Sequence, residues 1–364
     1  GNIQVLRGPQ GTLFGRVTDG GNIMIVPQKP TNNFEGYVEA KAGDYNLYGV
    51  TGAINIPLVD DKLLFRASFD IDRRDGYVTN INNNADLGNV NYNSFRLSLV
   101  FRPTSNLENY TIFSYNGANE SGTPLELHTV NSAAITNLFD GIAGEPLASE
   151  FAAGMQGALV TQRALGPYRA QVGNEAFGPD WGLYNKRREI YFINTTTWNV
   201  SDELTFKNIF GYTSFKDPYG IDYAGTSYRP FGGTLAPFNG NYLAILNPFV
   251  PDLNVVQKHM SEEFQAQGAI GDLSYTAGTY LEWQHTPAPA EGYFTELFLI
   301  QAGLIQYTQT SSEAVYGQID YNLHRILDGL SFEGGLRYTR DHANSQNAEY
   351  QSFDGLDLNA IPLH

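Results

Sequence analysis

The sequence predicts an all-β fold, an antiparallel sheet of about eleven strands forming part of a transmembrane barrel, and three observations predict it. The composition favours strands and turns, apolar and polar residues alternate with period two, and short and long connections take turns along the chain. The 364 residues include 38 Gly, 23 Tyr and 22 Phe against 3 Met. Aromatic residues suit a pleated surface and glycines suit turns, whereas helices favour long unbranched side chains. No stretch approaches the roughly 18 apolar residues of a transmembrane helix. Barrel strands are shorter and alternate, so they need no such run.

Charge and cysteine content narrow the function. The formal charge is −16, from 22 Lys and Arg against 38 Asp and Glu. Nucleic acid is therefore not an expected partner, because phosphate binding requires a basic face. The chain has no cysteine, which excludes disulfide frameworks and thiolate metal sites within it. Gly1-Asn2-Ile3-Gln4 is not the start of a secretion signal, so an exported protein would have its N-terminus upstream of this chain.

The alternation is read strand by strand. Phe34, Gly36, Val38, Ala40 and Ala42 oppose Glu35, Tyr37, Glu39 and Lys41. Leu63, Phe65, Ala67, Phe69 and Ile71 oppose Arg66, Ser68, Asp70 and Asp72, and Phe95, Leu97, Leu99 and Phe101 oppose Arg96, Ser98 and Arg102. Successive strand side chains point to opposite faces, so each segment has one apolar and one polar side. Eleven strands follow, near 33–43, 46–56, 63–74, 91–102, 108–117, 187–200, 203–217, 260–271, 273–285, 307–322 and 330–342.

The connections separate a membrane barrel from a soluble sandwich. Every second one is tight: Pro57-Leu58-Val59-Asp60-Asp61, Pro103-Thr104-Ser105-Asn106, Val200-Ser201-Asp202, Gly271-Asp272 and Leu327-Asp328-Gly329. Their Pro, Asp, Asn and Gly supply turn geometry. The intervening connections, around 75–90, 118–186, 218–259 and 286–306, are long and are expected to be polar, glycine-rich and mobile. Gly43-Asp44-Tyr45-Asn46 is the exception on that side. Short turns at one rim and long loops at the other describe an outer-membrane barrel, and compact soluble domains seldom carry several such loops.

Residues 1–30 read differently, as a compact turn-rich unit ending in the short strand Ile23-Met24-Ile25-Val26 and leaving through Pro27 and Pro30. Within it, Val5-Leu6-Arg7-Gly8-Pro9-Gln10-Gly11-Thr12-Leu13-Phe14-Gly15-Arg16 resembles the plug signature of TonB-dependent outer-membrane receptors. Phe34-Glu35-Gly36-Tyr37-Val38, Pro57 to Leu63, Arg73 to Val78, Ser261-Glu262-Glu263-Phe264 and Gly335 to Arg340 are similar to further segments of that family. Val17-Thr18-Asp19 and Asn22-Ile23-Met24-Ile25 depart from it.

The resemblance implies a plug inside a barrel of about 22 strands. Residues 1–30 would be the C-terminal part of the plug and 31–364 the first half of the barrel. It implies uptake of a scarce nutrient, above all an iron–siderophore complex, across the outer membrane of a Gram-negative cell. The partners would be outer-membrane lipid, the ferric siderophore and the TonB–ExbB–ExbD complex, engaged through an upstream segment and powered by the proton-motive force. In such proteins plug arginines pair with barrel glutamates. Arg7 and Arg16 match the plug positions, and Glu263, which alternates with Phe264 and so faces the lumen, is the expected partner. Tyr219, Tyr223, Tyr228 and Phe231, in a long loop, are the expected aromatic substrate contacts.

No catalytic chemistry is expected. His128, His259, His285, His324, His342 and His364 make no ligand spacing, no nucleophile elbow or phosphate loop appears, and no cofactor is implied. Adjacent Glu262 and Glu263 point to opposite faces and cannot act as an acid–base pair. A passive porin or adhesin barrel is the alternative, and a soluble β-rich enzyme or lectin is the third reading. Eleven strands of a wide barrel cannot close on themselves, so an open curved sheet is expected, with the plug remnant on its concave side.

Overall fold

A computed structural model describes residues 1–8, 20–143, 146–172, 183–222, 236–238, 241–243, 249–286, 290–295 and 301–352. The chain opens with a hairpin in which β1 (Asn2–Arg7) pairs with β2 (Gly21–Val26), from Asn2 opposite Val26 to Arg7 opposite Gly21. The turn-rich N-terminal unit is thus a two-stranded ribbon; its tip, with Arg16 and most of the plug-like signature, lies outside the described residues. The wall starts with β3 (Glu35–Gly43), β4 (Leu47–Val59) and β5 (Leu63–Arg74), then the small hairpin β6 (Val78–Asn80) and β7 (Ala85–Leu87), then β8 (Val90–Thr104) and β9 (Leu107–Ala118). Helices α1 (Ser132–Ala143) and α2 (Leu147–Leu165) and the short strands β10 (Arg169–Ala170) and β11 (Tyr184–Asn185) fill the next connection. The wall resumes with β12 (Arg188–Ser201) and β13 (Leu204–Asp222). After β14 (Ala236–Phe238) and β15 (Asn241–Leu243) come β16 (Phe249–Ile270) and β17 (Leu273–His285), then β18 (Ala290–Thr295), β19 (Gln301–Asn322) and β20 (Ser331–Ser352).

One 13-stranded sheet holds β18-β19-β17-β16-β13-β12-β9-β8-β5-β4-β3 in that order, with β20 beside β19 and β11 beside β13. Its long strands are the eleven predicted, and each pairs antiparallel with the next long strand in sequence. Among the described residues β3 and β20 do not pair with each other, so the sheet is open as expected.

Local chemistry explains the rims. At Gly43–Leu47 the Leu47 N–H donates to the Asp44 carbonyl at 3.2 Å. Tyr45 and Asn46 sit at φ 56° and 53°. Two successive left-handed residues make the turn whose twist matches the flanking strands, which is why this outer connection is short. Elsewhere the outer ends rise further than predicted, for β16, β19 and β20 each run 22 residues. A tilted strand crosses a bilayer in about 9–11 residues, so these strands extend well beyond it.

The two faces differ as alternation requires. Phe95, Leu97, Leu99 and Phe101 are all exposed on one face. In water such a row is a liability; against lipid it is a fitting surface. The same face carries a polar cluster in which Asn109 and Asn194 exchange amide hydrogen bonds at 3.0 Å each way and Asn208 donates to Glu262. The opposite face bears Arg66, Ser68, Arg96 and Ser98 and meets the N-terminal hairpin. It is called the inner face below.

The structure corrects the expectation for the outer loops. Among the described residues, 78–87 fold together with 168–172 and Leu183 rather than stand as a separate polar loop. Val78, Leu87, Ala170, Val172 and Leu183 bury one another. The Thr79 and Ile81 N–H groups donate to the carbonyls of Tyr168 and Ala170, both at 2.9 Å. Buried Asn80 donates to the Val172 carbonyl at 2.9 Å. Helix α2 buries Ala148, Phe151, Ala152 and Leu159, a stripe at helical spacing. Its alanines are the strongest helix formers, and they prevail in a chain that otherwise favours strands.

Candidate functional site

The site lies where the hairpin joins the wall. After β2, Pro27 to Pro30 ends the pairing and the chain runs into β3 across the inner face. A strand interior disfavours Asn, yet Asn55 sits in the middle of β4 and is fully buried. Its Oδ1 accepts from the Thr31 N–H at 2.9 Å. Its amide donates to the Thr31 carbonyl at 2.8 Å, the Thr31 hydroxyl at 3.1 Å and the Asn33 carbonyl at 2.5 Å. One side chain thereby satisfies the backbone of a segment that has no strand partner of its own.

Two further contacts complete this latch. Asn32 donates to the Asp61 carboxylate and accepts from the Asp61 N–H at 2.9 Å, which ties the linker to the first tight turn. The Lys29 ammonium lies 2.8 Å from Glu108 and 5.0 Å from the centre of the Tyr110 ring. Arg102 meets the other Glu108 oxygen at 2.8 Å. Beneath them Leu64, Val100, Tyr110 and Ile112 form an apolar cluster on the same face.

The residues expected from the sequence are only partly brought together. Register partners carry the inner face from Arg66 through Ser98, Ile112, Ile193 and Gly211 to Ser261, so Glu263, two residues on, faces inward as expected. It is buried, accepting from the Tyr316 hydroxyl and from the Gln265 amide at 2.9 Å. Nearby, the Tyr280 hydroxyl donates to Glu282 at 2.5 Å and the Arg337 guanidinium lies 5.6 and 5.5 Å from the Tyr280 and Tyr316 ring centres. Arg7 is exposed at the end of β1, and among the described residues no ion pair joins it to Glu263. Tyr219 is half-buried near the outer end of β13, opposite Asn185 of β11. Arg16, Tyr223, Tyr228 and Phe231 lie outside the described residues. The latch residues Lys29, Asn32, Asn55, Asp61 and Glu108 were not singled out from the sequence; an amide inside an otherwise good strand was the available signal.

An open antiparallel sheet with tight turns at one rim, a folded cap at the other and a hairpin fastened to its inner face is the architecture of part of an outer-membrane β-barrel. In fold, the chain is similar to part of the barrels of several solved outer-membrane receptors. The ferric yersiniabactin uptake receptor FyuA of Yersinia pestis matches with a TM-score of 0.67 at 17% identity, over 97% of this chain and 46% of that one. The ferric-catecholate import receptor Fiu of Escherichia coli gives 0.61 at 14% identity, over 94% and 46%. The ferripyoverdine receptor of the outer membrane of Pseudomonas aeruginosa gives 0.60 at 14%, over 96% and 43%. A 62-residue stretch, 17% of this chain, is 37% identical to 9% of the pesticin receptor of Yersinia enterocolitica. No protein-family model matches. The chain therefore spans less than half the length of the receptors it resembles.

Proposed function

We propose that the protein carrying this chain is a TonB-dependent receptor of the Gram-negative outer membrane that imports a ferric siderophore. Residues 1–30 are the last part of its plug and residues 31–364 the first half of its barrel. The observation that carries this reading is the hairpin fastened to the inner face through Asn55 and Lys29. A passive porin or adhesin has no use for a segment held across its lumen, and that favours the gated receptor over either. The function is transport, not catalysis.

In this reading the plug–barrel contact has two parts. Asn55, Asp61 and Glu108 hold the exit of the plug, while Arg7 and Arg16 are its candidate partners for barrel carboxylates, Glu263 among them. Tyr219, Tyr223, Tyr228 and Phe231 contribute to the outer substrate surface, together with the cap around Val78, Leu87, Ala170, Val172 and Leu183. The TonB–ExbB–ExbD complex pulls on a segment upstream of the hairpin, using the proton-motive force. The test is uptake of a panel of radiolabelled ferric siderophores by intact cells. The reading expects uptake of at least one member that collapses when an uncoupler dissipates the proton gradient. Uptake that ignores the uncoupler sinks it in favour of a passive pore.

A further inference from the structure

Between the hairpin and the first wall strands lies a cleft of about 320 Å³. Ile3, Ile25 and Gln28 line it on one side, and Tyr37, Arg66, Ser68, Arg96 and Ser98 on the other. We propose that Arg66 and Arg96 form a carboxylate-binding station in this cleft, between plug and barrel wall.

The two arginines are neighbours by register. Arg66 is opposite Ser98 and Arg96 is opposite Ser68, which makes the arginines a diagonal pair on adjacent strands. Diagonal pairs have Cα atoms about 7–8 Å apart, within the joint reach of two long side chains. Two like charges so placed repel unless an anion lies between them. Three nearby wall arginines have partners: Arg102 has Glu108, Arg73 the Asp72 and Tyr92 carbonyls and Asn93, and Arg74 the Gly88 carbonyl. Among the described residues, no carboxylate pairs with Arg66 or Arg96. Two acids share this face: Asp70 on β5, diagonal to Arg96, accepts from Thr51 at 2.7 Å, and Glu35 on β3 accepts from Thr31 at 3.0 Å.

Among the described residues the cleft lining contains no Asp or Glu. In a chain of net charge −16 with 38 acidic residues, two guanidiniums in a cleft so lined are a local reversal of sign. The ligand chemistry follows from the groups present. A guanidinium fork presents parallel N–H donors at the spacing of a carboxylate, the Ser68 and Ser98 hydroxyls add neutral donors, and the Tyr37 ring closes one side. The carboxylate has two sources: a diffusing anion passing between plug and wall, or an acidic side chain of the same protein. The proposal rests on the receptor reading in treating the inner face as a lumen.

The experiment is arginine-specific modification with phenylglyoxal of the full-length protein in outer-membrane vesicles, read at Arg66 and Arg96 by peptide mass spectrometry. Citrate, sulfate and chloride are compared at equal ionic strength. A diffusing ligand predicts that both arginines react in chloride and are protected by citrate, about tenfold once citrate is near ten times its dissociation constant. An internal carboxylate predicts protection in all three salts, relieved when the plug is unfolded with urea while the barrel persists. Rapid, equal modification in every salt overturns the proposal. Modification is read independently of uptake, so a failure here is distinct from the loss of uncoupler sensitivity that would sink the receptor reading.

Discussion

The two rims of the wall are built by opposite strategies. At the rim of tight turns, structure is prescribed within a few residues: Asp60-Asp61, Gly271-Asp272 and their neighbours reverse the chain, and Asn55 fastens the passing linker to a single strand. At the outer rim, structure comes from parts distant in sequence. Residues 78–87 and 168–172 share a small apolar core and a parallel pairing of β6 with β10. On the receptor reading proposed above, the inner end would hold the exit of the plug and the outer end would present the substrate surface.

The comparison breaks most readily at the inner rim. Leu64 is almost wholly buried against Val100, Tyr110 and Ile112, so Leu64→Ala should cost about 2–5 kcal/mol, measured by urea unfolding of the full-length barrel. Asn55→Ala strands the Thr31 N–H and the Thr31 and Asn33 carbonyls, which should cost about 2–3 kcal/mol. Its second signature is local: limited proteolysis should appear between residues 27 and 34 before the barrel melts. At the outer rim, Asn80→Ala removes the bond to Val172 at a cost of about 1–3 kcal/mol. Hydrogen exchange should quicken at 78–81 and 168–172 while the unfolding of the wall stays unchanged; a shift of the whole barrel would show that the two rims are not independent. Smallest is Lys29→Met. Its ammonium is half exposed, so the pair with Glu108 should contribute about 0.2–1 kcal/mol and weaken with salt.

The same contrast explains what could be read in the sequence. Strand number, order and the inner turns were legible because alternation and turn residues are local signals, and Phe95 to Phe101 or Gly271-Asp272 declare themselves in a few letters. The inward orientation of Glu263 followed from alternation as well. Its partners did not, because Tyr316 lies 53 positions away and only the register of β16, β17 and β19 brings it there. The cap was missed for a related reason. Val78, Val172 and Leu183 are unremarkable apart from one another, and the alanine-rich run of α2 was read within a loop rather than for its own periodicity. Asn55 was missed because one amide in a strand carries no partner information; the linker it holds supplies the meaning.

The central claim is that the N-terminal hairpin sits on the inner face and leaves it through the latch at residues 29–33. This chain has no cysteine, so two introduced thiols report on that seat without removing native ones from it. Lys29→Cys with Glu108→Cys replaces one contacting pair, and a short bifunctional maleimide applied to the full-length protein in its membrane should join them. The account predicts rapid intramolecular cross-linking, abolished when the second thiol is moved to the outer face at Phe101. Cross-linking that is equally slow from either position would place the hairpin away from the inner wall and contradict it.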